Sequence, residues 1–181
     1  MNAELLERVF ERARAVQTRH DGGRIEPLKR AAKRVCTDLI NQRLASGARV
    51  LDVGGEGFYH ADLVRFQVVV ANLPDADMHE LDYEGQFEAV IAMHVLEHSP
   101  CPLYVLHLLR RALVPGGLLY AAVPRPSPRI CSGFGHWSVM PAVMWRPLIE
   151  AAGFQIESAT SGKFGARPDW IEERFLASTS P

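Results

Sequence analysis

The chain has 181 residues, 48% of them hydrophobic and 23% charged, with a formal net charge of −1. That length and composition fit one globular domain able to bury roughly 70% of its unfolded surface. The near-zero charge argues against a polyanion partner, so no nucleic acid is expected, and no apolar run reaches the roughly 18 residues of a bilayer span.

The N-terminus "MNAELLERVFERARAV" lacks a signal peptide's apolar core. With three scattered cysteines, Cys36, Cys101 and Cys131, it points to a reduced, cytoplasmic protein. From Asn2 to about Gln17, Leu5, Leu6, Val9, Phe10, Ala13 and Val16 recur at spacings of three and four, as in an amphipathic helix. "HDGG" (20–23) breaks it. A second helix is expected from about Pro27 to Ala45, with Leu28, Ala31, Ala32, Val35, Cys36, Leu39 and Ile40 on one face. Its basic residues Lys29, Arg30, Lys33 and Arg34 are read as the solvated side. Residues 1–47 are expected to form a helical cap or lid, part of the same compact unit as a core over 48–181.

From Arg49 the texture changes. "RVLDV" (49–53) is a short apolar strand running into "GGEG" (54–57), and a brief helix is expected at about Tyr59 to Arg65. "FQVVVANL" (66–73), "FEAVIAM" (87–93) and "LLYAAV" (118–123) read as further strands, with "PLYVLHLLRRAL" (102–113) a helix between the last two. After an irregular stretch at 124–140, "PAVMWRPLIEAAG" (141–153) reads as a helix, and "FQIESAT" (154–160) and "EERFLAS" (172–178) as final strands. Apolar strands alternating with helices predict an α/β fold with a mostly parallel sheet covered on both faces.

A strand ending in Asp52, then glycines, places backbone N–H groups at the carboxyl edge of a sheet, where ligands bind. Four stretches then fall in order: "VLDVGGEG" (50–57), "FEAVIAMHVLEHSPCP" (87–102), "LRRALVPGGLLYAAVP" (109–124) and "GHWSVMPAVMWRPLIEAAGFQI" (135–156). In these the chain resembles the class I S-adenosylmethionine-dependent methyltransferases, specifically the small-molecule type with a "VLEH" motif. The resemblance implies a Rossmann-like core and S-adenosyl-L-methionine as cofactor. It further implies that Asp52, Gly54, Gly55 and Gly57 contact the methionine part. Asn72 would meet the ribose, Asp77 with Met78 the adenine, and His94 would lie beside the sulfonium end. Two departures stand out. The usual G-x-G-x-G becomes Gly54-Gly55-Glu56-Gly57-Phe58, and Asn72 replaces an acidic residue, giving weaker bonds to hydroxyls.

His94-Val95-Leu96-Glu97-His98 also fits H-x-x-E-H, a zinc-protease pattern in which i, i+3 and i+4 ligands share a helix face. Pro100 and Pro102 end any helix there too early for that use. Some ubiquinone-pathway O-methyltransferases that the sequence resembles hold a divalent ion with E-x-x-E-H here. His94 replaces the first glutamate of that pattern, and no metal is expected.

Methyl transfer to a hydroxyl needs a base, and His94, His98 and His136 are the candidates, the last two named as catalytic. His98 has a second reading as a loop anchor, and His136 as a surface histidine. Trp137, Phe134 and Met140 are read either as an acceptor wall or as core. His60 is a candidate neighbour of the cofactor, while His20, His79 and His107 are expected on solvated faces. The expected activity is methyl transfer to a small-molecule acceptor, at oxygen. The alternatives are a degenerate fold acting as a binding or scaffold protein, and a nucleic-acid methyltransferase. The expected partner is a small molecule, with no membrane, and a homodimer is compatible with the sequence.

Overall fold

The computed structural model describes residues 7–12, 27–55, 60–133, 135–164 and 170–181, with the backbone alone at 27–31 and at Ala61. Residues 7–12 are helical. The rest of the expected first helix lies outside the described residues.

Six strands form one sheet: β1 (Arg49–Val53), β2 (Gln67–Ala71), β3 (Phe87–Met93), β4 (Leu113–Pro124), β5 (Gln155–Lys163) and β6 (Ile171–Ser178). Their order is β2-β1-β3-β4-β6-β5. The first four are parallel, and β6 runs antiparallel to both β4 and β5. The helices are α1 (Pro27–Arg43), α2 (Pro102–Ala112), α3 (Pro128–Cys131) and α4 (Ala142–Ala151). The mostly parallel, two-face-covered sheet expected from the sequence is present.

Side chains alternate between the faces with the period of two that strands impose. Leu51, Val53, Val90, Ala92, Leu119, Ala121, Val123 and Phe175 pack with Leu106 and Leu109 of α2 and with Trp145 and Ile149 of α4. On the other face, Val50, Ala89, Ile91, Met93, Leu118, Tyr120 and Ala122 meet Cys36 and Ile40 of α1. Of the cap expected over residues 1–47, α1 thus supplies a layer of the core. The boundary proposed at residue 48 remains an expectation.

Several elements differ from their sequence reading. The brief helix after the glycines is a 3-10 turn, His60–Leu63. β4 starts five residues before the expected strand because "LVPGG" continues the ladder, with a register shift opposite Phe87/Ala89. The 124–140 stretch contains α3, capped by the Ser127 side chain accepting from the Ile130 amide. β5 is an edge strand and nearly all exposed, as its polar composition suits. All three cysteines are free thiols. No helix among the described residues is long and apolar enough to cross a membrane.

The fold's energetics separate two contacts. Phe175 is fully buried in the first cluster, and Phe175→Ala is expected to cost about 3–5 kcal/mol through lost transfer energy and a cavity. The Arg43–Glu157 ion pair joins α1 to β5 at 2.7 Å but is largely exposed, so Arg43→Ala is expected to cost under about 1 kcal/mol. Urea unfolding of both variants checks the difference.

Candidate active site

Parallel strands in register end together. Val53, Ala71 and Met93 are partners or neighbours across β1, β2 and β3, and all border one cleft. Just past these ends, Gly54 N–H donates to Ala71 and His94 N–H donates to Ala122. The cleft has a volume of about 680 Å³ and is lined by residues from 32 to 170. That volume lies within the roughly 300–1,000 Å³ of small-molecule sites.

One wall carries Gly54, Asn72, Leu73, Pro74, Asp77 and Met78. The protein's own atoms already demand glycine at both positions. Gly54 has φ +72 and a Cβ there would sit 2.7 Å from Val95, while a Cβ on Gly55 would overlap the Asp52 carboxylate. Gly55 and Asp52 do not line the cleft among the residues that border it. Asp52 lies beneath, buried, with its Oδ2 2.7 Å from His60 Nε2. Gly57 lies outside the described residues. Asn72 is exposed at the rim and donates from Nδ2 to the Gly55 carbonyl at 3.2 Å.

Asp77 is buried and its Oδ1 accepts from the His79 amide and from His79 Nδ1, at 2.8 and 2.7 Å. His79 Nε2 lies 2.9 Å from Ser99 Oγ, and its ring stacks on Phe10 at 4.3 Å. His79, expected on a solvated face, is therefore a buried tether between the Asp77 loop and the turn after β3. Lys33 departs from its reading too. It is 7% exposed and borders the cleft, while Arg34 of the same basic cluster is exposed.

The opposite wall carries His94, Glu97, His98, His136, Ile130, Phe164 and Trp170. Leu96–His98 forms a 3-10 turn, and the Trp137 and Ser138 amides both donate to the Glu97 carbonyl at 2.9 Å. This stitching brings His136 beside His98, with ring centroids 4.8 Å apart. His98 Nδ1 is 3.0 Å from the Gly135 carbonyl and His136 Nδ1 2.7 Å from that of Ile130. Each carbonyl fixes the ring proton on Nδ1, which makes Nε2 the proton-accepting nitrogen. His98 is thus both a loop anchor and a cleft residue.

The convergence of His94, Glu97 and His98 on one point does not form. Glu97, His98 and His136 do converge, one polar atom from each lying within 4.8 Å of the others. His94 instead turns to Glu172, Nε2 to Oε2 2.7 Å, with Glu97 3.7 Å from its Nδ1. Burial pulls the His94 pKa down, but its two carboxylate partners outweigh that and hold it above the usual histidine value. Burial likewise raises Glu97 and Glu172, and the imidazolium more than compensates, leaving both below the usual carboxylate value. Both ring nitrogens of His94 thus face carboxylates, which removes it from the candidate bases.

Sequence reasoning missed Glu172, Phe164 and Trp170. The last two stack in parallel at 5.6 Å, with Phe164 also 4.4 Å from His94. They form the aromatic side of the cleft, whereas Trp137 is 53% exposed and borders no part of it. Phe134 lies outside the described residues.

Glycine turn, strand-end cleft and antiparallel β6 define a class I methyltransferase fold. The closeness to solved structures agrees. The N-methyltransferase NodS of Bradyrhizobium japonicum, in complex with S-adenosylhomocysteine, matches with TM-score 0.73 and 14% identity over 95% of this chain and 98% of that one. A Burkholderia thailandensis 1,6-didemethyltoxoflavin N1-methyltransferase matches with TM-score 0.72 and 19% identity over 100% and 92%.

A family model described as a methyltransferase domain matches residues 28–159, and the chain belongs to that family. It is a class I S-adenosylmethionine-dependent methyltransferase by fold and family. A ubiquinone biosynthesis O-methyltransferase of Xanthomonas oryzae is 33% identical over 118 residues, covering 50% of this chain and 49% of the relative. The chain thus spans about half the length of the curated relatives it matches.

Two outcomes are expected. Gly55→Ala forces Asp52 to move and should lower stability by about 1–3 kcal/mol in urea unfolding. The raised His94 contributes stability below the ordinary histidine pKa, near 6.5, and loses it as pH rises through its own value. The lowered Glu97 and Glu172 contribute above the ordinary carboxylate pKa, near 4.3, and lose it as pH falls through theirs. Thermal melts across pH should therefore peak between about pH 4.5 and 6.5 and fall on both sides.

Proposed function

We propose that this chain transfers the methyl group of S-adenosyl-L-methionine to an oxygen of a small-molecule acceptor. The observation that carries this reading is one cleft with two unlike walls. Gly54, Asn72, Asp77 and Met78 border one side and the His98–His136 pair the other. The 33% identity to an O-methyltransferase over half the chain supports oxygen as the acceptor atom.

Asn72 holds the ribose hydroxyls and Asp77, with Met78, the adenine. The bound cofactor supplies an activated methyl group on a sulfonium. The chain's task is to align the acceptor oxygen with it, an effect worth on the order of 7–11 kcal/mol. Nε2 of His98 or His136 would take up the proton that the acceptor hydroxyl loses on methylation. Their Nδ1–carbonyl bonds hold the rings in the tautomer that this needs.

Calorimetric titration with S-adenosylhomocysteine should give saturable binding, weakened about fivefold by Asn72→Ala through one lost hydrogen bond. With a panel of phenols and radiolabelled cofactor, His98→Ala and His136→Ala should lower kcat by roughly 10²-fold or more at the residue that acts as base. The affinity for S-adenosylhomocysteine should stay unchanged in both. Absence of any heat at millimolar cofactor would sink the reading.

A further inference from the structure

β6 begins where the parallel strands end, because it runs the other way. Glu172 therefore stands opposite Pro124, at the carboxyl edge of β4. Its side chain is fully buried, where an unmatched carboxylate is strongly disfavoured. It is matched twice, by His94 Nε2 at 2.7 Å and by Arg174 Nε on its own strand.

His94 is over-determined in turn. Its backbone has φ 54, the one positive value on a non-glycine residue among those described. A residue stays in that region when its surroundings hold it there. Glu172 pairs with it from β6, with Arg174 on the far side of that carboxylate; Glu97 lies 3.7 Å from its Nδ1, with His98 close enough to act on Glu97; and Phe164 packs on the ring. Lys33 of α1 borders the same cleft.

The far end of this chain of contacts is incomplete. Glu97 Oε1 faces His94, but Oε2 is buried without a hydrogen-bond partner, on a residue 2% exposed that borders the cleft. A buried carboxylate oxygen lacking a donor is costly, and a ligand bringing an N–H or O–H relieves that cost.

We propose that Glu172 is a positioning residue of the cleft: through His94 it fixes Glu97, whose second oxygen accepts a hydrogen bond from a hydroxyl of the bound acceptor. This deepens the proposed O-methyl transfer and rests on it. The acceptor is then a molecule that keeps a donor hydrogen beside the methylated oxygen. Glu97 recognises that hydrogen, and the proton lost in the reaction goes to His98 or His136.

The test uses the full chain, labelled with 15N-histidine and saturated with S-adenosylhomocysteine. The probes are catechol, which donates, and 1,2-dimethoxybenzene, which does not. In the wild type at pH 7, both His94 ring nitrogens should be protonated, and catechol should bind at least tenfold more tightly than the dimethoxy probe. Glu97→Gln should remove that tenfold preference. Glu172→Gln should leave His94 neutral at pH 7 and weaken catechol severalfold, with S-adenosylhomocysteine affinity within twofold of wild type.

His94→Gln, which leaves β6 untouched, should repeat the loss of catechol affinity if Glu172→Gln fails to fold. Should Glu172→Gln lower only the melting temperature, leaving His94 protonation and the catechol preference as in wild type, the proposal is overturned. Equal binding of both probes by a wild type that binds S-adenosylhomocysteine overturns the hydroxyl contact alone. A wild type that does not bind S-adenosylhomocysteine overturns the methyl-transfer reading beneath it.

Discussion

Everything functional in this chain depends on strand register. β1, β2, β3 and β4 are parallel and paired without slippage near their ends. Chain segments separated by some 70 residues therefore stop at the same height. The polypeptide must turn there, and turning exposes backbone groups and aims side chains over one edge. The antiparallel entry of β6 adds a second consequence. It brings the start of a strand, rather than its end, to that edge, and with it Glu172.

The cleft is held by charge arranged in low-dielectric surroundings, not by apolar contact alone. Asp52, Asp77, Glu97 and Glu172 are all buried beside it, and each has a histidine partner. Buried ions of one sign would be intolerable, and buried pairs are often no better than apolar residues of equal size. Their retention here makes sense as geometry. Asp77–His79–Ser99 ties the loop carrying Asp77 to the turn after β3, and Glu172–His94–Glu97 ties that same turn to β6. Both tethers converge on residues 94–99, the segment that carries His94, Glu97 and His98.

Much of this was legible in one dimension. "RVLDV" and "FEAVIAM" have the bounds they show as strands, and "PLYVLHLLRRA" is the helix that its spacing announces. "GG" correctly marked a tight turn, although the atoms that exclude a Cβ are those of Val95 and Asp52. His98 and His136 are candidates by their chemistry and do meet, because amides 137 and 138 dock on the Glu97 carbonyl. Lys33 and His79 are misread, and Glu172 is missed, for a common reason. They are polar letters whose burial comes from partners that local periodicity does not show. Glu172 is 78 residues from His94, and in "EERFLAS" a buried glutamate reads the same as a solvated one.

The sequence by itself determined the alternation of strands and helices, the glycine turn and the membership of a methyltransferase family, since these are local patterns of apolar period, backbone freedom and motif order. Tertiary structure alone decided what each ionisable side chain does. Protonation and hydrogen-bond role follow from which charges lie within a few ångströms, and packing sets those distances. His94 shows the division: its letter promised a base or a ligand, and Glu172, brought in by β6, together with Glu97 of its own turn ties up the ring and raises its pKa.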